Sequence, residues 1–76
     1  MEIDKVNAII AQCASIKPDD IRPDLSLVYD LHMDSIMFTE MMCFLEEELS
    51  VTIAEDDLMK WYCVQDIYNY FEITQS

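Results

Sequence analysis

The sequence predicts an all-α fold, a small bundle of three main helices and one short helix, with a long loop between the first two helices. Apolar residues recur at helical spacing in three separate segments, which is typical of amphipathic helices. The chain has 76 residues and 53% hydrophobic residues, enough to give one small domain an apolar core. We therefore expect residues 1–76 to form a single domain.

The first helix is expected over about residues 3–15, where Ile3, Val6, Ile10 and Cys13 form an apolar stripe. Residues 17–33 should form a long loop, because they contain two prolines and several turn-forming residues. Four apolar residues predict that this loop packs on the core: Leu25, Leu27, Val28 and Leu31.

The second helix should begin at Asp34, a good N-cap residue, and end near residue 50. Its predicted inward stripe is Phe38, Met41, Met42, Leu45 and Leu49. Residues 51–53 are β-branched but have no second strand to pair with, so we expect a connection there. A short helical turn over 55–59 and a last helix over about 64–73 complete the bundle.

The chain contains no glycine, the residue that commonly ends helices in the left-handed conformation. Ser15 and Ser50 stand near two predicted helix ends instead. We therefore expect those ends to use another capping geometry. The Cβ of His32, in the loop, should likewise disfavour a left-handed backbone at that position.

The net charge of −12 comes from 16 acidic and 4 basic residues. Such a surface is a poor partner for nucleic acid or anionic membranes and a good one for basic protein surfaces. Ten acids and no Lys or Arg lie between positions 23 and 59, which favours an acidic binding face. We expect a monomer without membrane insertion.

The three cysteines, Cys13, Cys43 and Cys63, lie among apolar residues without a CxxC pair, and a single His cannot complete a common zinc site. We expect free cysteines that behave as small hydrophobes in a reducing compartment, and no metal site. The N-terminus lacks a signal-peptide pattern, so the cytoplasm is the expected location.

Residues 31–36 read Leu-His-Met-Asp-Ser-Ile and place Ser35 at the first turn of the second helix. This segment is similar to the Leu-Gly-x-Asp-Ser-Leu attachment motif of the acyl carrier protein family. The resemblance extends over nearly the whole chain, through residues 16–21, 27–31, 45–49 and 64–67 in the family's order and spacing.

The resemblance implies a carrier that is not itself an enzyme. A phosphopantetheinyl transferase would attach 4′-phosphopantetheine from coenzyme A to Ser35, and Asp34 would support the motif. The arm would hold acyl intermediates as thioesters and deliver them to partner enzymes of fatty-acid or related biosynthesis. A helix N-terminus suits the phosphodiester anion, because its free amides point at the ligand.

By position, Glu40, Glu46 and Glu47 match family residues that meet basic patches on acyl-loading and acyl-processing enzymes. We add five residues to the expected partner face: Ile36, Met37, Phe44, Glu55 and Asp56. An apolar outward side of the second helix suggests a dedicated set of partners. The alternative is that rotation of this helix buries Met37 or Phe44.

His32 stands where the family usually has glycine, and we expect an exposed loop residue there. Large aromatic residues in the last third of the chain should shrink an acyl cavity, which predicts short or partly exposed cargo. Rival functions are a carrier for polyketide, peptide or D-alanine chemistry and, more remotely, an acidic helical adaptor without a prosthetic group. Calcium binding and hydrolysis are disfavoured, since the sequence lacks the glycine that a calcium loop or a nucleophile elbow needs.

Overall fold

The structure, a computed structural model, describes residues 2–71 and contains four α-helices in the expected order. They are α1 (Glu2–Ala14), α2 (Ser35–Leu49), α3 (Glu55–Leu58) and α4 (Val64–Tyr70). No β-strand occurs within these residues, so the predicted all-α fold is confirmed. Helix α4 ends at Tyr70, earlier than expected, and residues 72–73 of the predicted helix lie outside the described part.

The core lies among α1, α2, α4 and the long loop, and α1 packs directly on α2. The predicted stripe of α2 is confirmed, with Met41 and Leu45 fully buried and the other three residues half-buried against the core. The Tyr68 hydroxyl donates to Asn7 Oδ1, which joins α4 to α1. Fully buried residues from every main helix meet there: Val6, Ile10, Met41, Leu45, Ile67 and Tyr68.

The loop between α1 and α2 is ordered by hydrogen bonds to the segment before α4. Leu27 N donates to the carbonyl of Tyr62 at 2.9 Å, and Ser26 and Cys63 form an isolated antiparallel bridge. A short 3₁₀ turn, Pro18–Asp20, stands within the expected loop. These bonds give the exposed backbone of a long loop its partners and so fix its course.

The loop packs on the core through Leu25, Leu27 and Leu31 as predicted, but Val28 takes no part in that packing. Asp30 N donates to the carbonyl of Ser26 at 3.1 Å, so the chain makes one helical turn here. Leu27 and Leu31, four residues apart, share the inner side of that turn and are buried. Val28 faces outward and is 48% exposed.

The expectation of another capping geometry at the glycine-free helix ends was also wrong. Ser15 and Ser50 have φ angles of 60° and 54°, in the left-handed region where glycine is usual. The residue after each serine donates to the carbonyl five positions earlier, Ile16 N to Ala11 at 3.0 Å and Val51 N to Glu46 at 3.2 Å. Satisfying helix-end carbonyls therefore outweighs the steric cost of Cβ at both sites.

Candidate functional site

Ser35 is the first residue of α2, and its side chain is exposed. Asp34 has extended backbone angles, φ −115° and ψ −177°, and its Oδ1 accepts a hydrogen bond from Met37 N at 2.9 Å. The predicted N-cap is thereby confirmed. The start of a helix leaves the amides of Ser35 and Ile36 without an intrahelical partner, so two donors remain beside the Ser35 hydroxyl.

The loop before α2 turns sharply so that Ser35 faces solvent. Met33 is buried, and its N donates to the carbonyl of Leu27 at 2.9 Å, while the flanking His32 and Asp34 are exposed. His32 has φ 56°, in the left-handed region, so the expectation from its Cβ was wrong. The burial of Leu31 and Met33 on either side forces the chain through this conformation. The loop thus presents Asp34 and Ser35 on a backbone anchored from both sides.

A groove of about 490 Å³ opens beside Ser35. The Ser35 side chain lines it together with Phe38 and Thr39 of α2, and Leu58 and Trp61 line it from the side of α3. Trp61 is only 6% exposed, because its ring also contacts Tyr70 and Phe71 at centroid distances of 5.4 and 6.2 Å. Ser35 therefore stands at the edge of a mainly apolar groove between two helices.

The apolar residues expected on the outward side of α2 behave differently from one another. Ile36 is 70% exposed and Phe44 is 40% exposed, as the partner-face hypothesis requires. Met37 is half-buried and packs against the core, as the alternative held. Helix rotation thus places Met37 at the border of the core, where only part of its side chain can meet a partner.

Among the expected acidic residues, Glu40 and Glu47 on α2 and Glu55 and Asp56 at the start of α3 are exposed. Glu46 is half-buried, and its Oε2 accepts a hydrogen bond from Ile53 N at 2.7 Å. This bond ties the connection after α2 back to the helix. Glu46 therefore has a structural contact that the sequence did not reveal.

The cysteines are free thiols. Cys13 and Cys63 are half-buried, whereas Cys43 is exposed on α2, unlike the small hydrophobe expected there. Burial, and secondly the negative charge of Glu40, raise the pKa of the Cys13 thiol above its ordinary value. The protonated thiol is thus the favoured form of Cys13 at neutral pH.

Four exposed apolar residues near Ser35 were missed as surface features: Val28, Tyr29, Met59 and Tyr62. Tyr29 and Tyr62 lie far apart in the sequence, but their rings meet edge to face with centroids 6.4 Å apart. No periodicity in the sequence links the loop to the segment before α4. Only the fold brings these side chains together.

Comparison with known proteins gives the arrangement its context. A family model for the phosphopantetheine attachment site matches residues 4–71. An acyl carrier protein of Chlamydia trachomatis is 36% identical over 73 residues, which cover 96% of this chain and 95% of the relative. The chain belongs to the acyl carrier protein family.

Further relatives of this acyl carrier protein family agree in length and fold. An acyl carrier protein of Thermosynechococcus vestitus is 35% identical over 68 residues, covering 90% of this chain and 84% of the relative. A solved structure of a candidate acyl carrier protein from Mycobacterium tuberculosis superposes with a TM-score of 0.86 at 25% identity, covering 96% of this chain and 97% of the other. The resemblance carried by residues 31–36 is thus confirmed at the level of the family.

The residues at the start of α2 fit the phosphopantetheine group that this family binds. The exposed Ser35 hydroxyl can carry the phosphodiester, and the first amides of α2 can donate to its oxygens. Apolar side chains of the groove can pack against the arm. When bound, the arm supplies a thiol that holds acyl groups as thioesters. Within residues 2–71, no helix is long and apolar enough to cross a membrane.

Proposed function

We propose that Ser35 is the attachment residue and that the chain acts as one carrier domain over residues 1–76. The supporting observation is the exposed Ser35 hydroxyl at the first position of α2, beside free amides and an apolar groove. A transferase would join the Ser35 oxygen to the pantetheine-bearing phosphorus of coenzyme A. The pyrophosphate bond breaks, adenosine 3′,5′-bisphosphate leaves with the bridging oxygen, and the proton of the Ser35 hydroxyl passes to a base of the transferase.

Asp34 would hold the geometry of this site. Its carboxylate is bound to Met37 N, which fixes the start of α2 and therefore the direction of the Ser35 side chain. Since the carboxylate is engaged in this cap, we assign Asp34 a positioning role. The chain itself needs no catalytic residue, because the partner enzymes supply the chemistry on the arm and its cargo.

The partners would be the transferase and acyl-loading or acyl-processing enzymes with basic docking patches, acting in fatty-acid or related biosynthesis in the cytoplasm. On α2, the exposed Ile36, Glu40, Phe44 and Glu47 form the main docking face, and the acids of α3 extend it. Charge complementarity of this kind accelerates encounter more than it tightens binding. A carrier that binds as a monomer and must release each partner benefits from that balance.

The test is to incubate the apo protein with coenzyme A and a broad-specificity phosphopantetheinyl transferase and to measure its intact mass. We expect a single pantetheinyl adduct that Ser35→Ala abolishes. Ser50→Ala is the matched control, because Ser50 is an exposed serine at the other end of α2 and should leave the adduct unchanged. A well-folded protein that gains no adduct would support the adaptor without a prosthetic group.

The class of cargo is a separate question within the same proposal. Mass analysis of the protein isolated from its native host should show straight-chain acyl thioesters of fatty-acid biosynthesis. A polyketide intermediate, an aminoacyl group or D-alanine on the arm would instead assign the chain to one of the related carrier pathways. The groove is mainly apolar, which favours an acyl chain over a charged aminoacyl group.

A further inference from the structure

A cluster of exposed apolar side chains borders Ser35 along the groove, next to Glu55 of α3. We call Val28, Tyr29, Met59 and Tyr62 the aromatic rim. Tyr29 is 72% exposed, Met59 81% and Tyr62 61%. Three of the four line the groove that contains Ser35, and Tyr29 joins them through its ring contact with Tyr62. Contiguous exposed apolar side chains are typical of contact surfaces.

Backbone hydrogen bonds fix the two segments that carry Tyr29 and Tyr62. Tyr62 N donates to Asp66 Oδ2 at 2.7 Å, and the carbonyl of Tyr62 accepts from Leu27 N at 2.9 Å. The rings of Tyr29 and Tyr62 then hold each other at an interplanar angle of 61°. A partner that binds these rings therefore has little backbone freedom to restrict, which lowers the entropic cost of association.

An enzyme that binds directly at Ser35 should also cover the aromatic rim, because a specific interface is large relative to this molecule. Such interfaces bury about 800 Å² on each partner, roughly a disc of 16 Å radius. The molecule measures only 28 × 26 × 18 Å. A footprint centred on Ser35 therefore covers both the start of α2 and the rim of the adjoining groove.

Among the proposed partners, the transferase has to bind directly at Ser35. Enzymes that process the cargo can reach it at the end of a flexible arm, at a distance from Ser35. The transferase acts before the arm exists and must bring its own centre to the Ser35 hydroxyl. The acidic side chain of Glu55 lines the same groove as the rim, so the face offered to this enzyme is apolar with an acidic border.

This inference rests on the proposed attachment at Ser35. We propose that the aromatic rim is a recognition surface for the phosphopantetheinyl transferase, with Tyr62 as its main anchor. Tyr62 lines the groove and also supports Tyr29, so its ring is central to the patch. Tyrosine is enriched among the few residues that carry most of the energy of an interface. The matching enzyme surface is an apolar pocket bordered by Lys or Arg.

The experiment measures kcat/KM for modification of the apo protein by the transferase, with intact mass as the readout. Tyr62→Ala should lower kcat/KM about tenfold or more, the loss typical of an interface anchor. Tyr62→Phe, which keeps the ring, should stay within about twofold of the wild type. Val51→Ala is the control, because Val51 is an exposed apolar residue beyond the far end of α2 and should have no effect.

The assay separates recognition of the aromatic rim from contacts of the arm and from charge attraction. The apo protein carries no arm, so a loss in Tyr62→Ala cannot arise from lost packing of the arm. The loss should also persist at about 1 M salt, where charge contacts are screened within about 3 Å. Circular dichroism of each variant establishes that it is folded.

Several results would overturn the proposal. If folded Tyr62→Ala keeps the wild-type kcat/KM, Tyr62 is not an anchor. If Val51→Ala loses as much kcat/KM as Tyr62→Ala, the effect is not local to the aromatic rim. A loss in Tyr62→Phe as large as in Tyr62→Ala would assign the effect to the hydroxyl group instead of the ring. Failure of the proposed function is distinguishable, because then the wild-type protein would remain unmodified or would carry its adduct on a residue other than Ser35.

Discussion

Replacing Ser50 by glycine should stabilise the protein. Ser50 holds φ 54° at the end of α2, and a left-handed residue with a Cβ costs about 1–2 kcal/mol. Glycine removes that cost but adds about 0.4–1 kcal/mol of conformational entropy to the unfolded chain. The expected net gain is therefore about 0.5–1 kcal/mol. For a domain of this size, it corresponds to a rise in Tm of about 2–8 °C.

The assay is urea unfolding at neutral pH, followed by circular dichroism, together with a thermal melt of each variant. Ser50→Ala is the matched control, because alanine keeps the Cβ in the left-handed conformation and should bring no gain. Modification of Ser35 should be unchanged, since the two residues lie at opposite ends of α2. Relief of backbone strain at Ser50 is refuted if Ser50→Gly is no more stable than the wild type, or if Ser50→Ala gains as much.

Three further predictions concern charged groups. Glu46→Ala should destabilise the fold by about 1–2 kcal/mol in urea unfolding, because Ile53 N loses its acceptor, whereas Glu47→Ala should have little effect. Hydrogen bonds from the amides, foremost that of Cys63, lower the pKa of Asp66 below its ordinary value. The ionised Asp66 therefore stabilises the fold fully at pH values above its unfolded-state pKa of about 3.9. This stabilisation should be lost as pH falls through the folded-state pKa, so the difference in unfolding free energy between the wild type and Asp66→Asn should shrink there. Finally, added NaCl should raise the Tm of the wild type, because screening weakens the self-repulsion of a chain with net charge −12; an unchanged Tm would contradict this.

The helices could be predicted from the sequence because their patterns are local. The apolar stripe of α2 continues over about three turns, and Asp34 marks the start of the helix, so both the helix and its N-cap followed from neighbouring residues. The exposure of Ser35 followed from the same local pattern. The family resemblance of residues 31–36 then indicated the cofactor, phosphopantetheine, which no periodic pattern could have indicated.

The errors concern residues whose conformation depends on the tertiary structure. His32 adopts a left-handed backbone because Leu31 and Met33 are both drawn into the core, although its Cβ disfavours that conformation. Likewise, Ser15 and Ser50 replace glycine where helix-end carbonyls need donors. Local propensity is a weak prior, and in these three positions packing and hydrogen bonding override it.

The surface around Ser35 also depends on tertiary contacts that the sequence does not reveal. No local pattern associates Tyr29 with Tyr62, because their contact depends on the backbone bond between Leu27 and Tyr62. Similarly, the bond from Ile53 N to Glu46 could not be inferred from a run of three acids. Long-range hydrogen bonds of the loops decide which charged and aromatic residues are free to meet a partner.

The attachment of the phosphopantetheine arm to the Ser35 oxygen is the proposal on which the carrier function depends. Fragmentation of the modified wild-type protein in a mass spectrometer tests it without any substitution. We expect the added mass to lie on Ser35. An adduct on Thr39, whose side chain lines the same groove, or on any other residue would contradict the proposal.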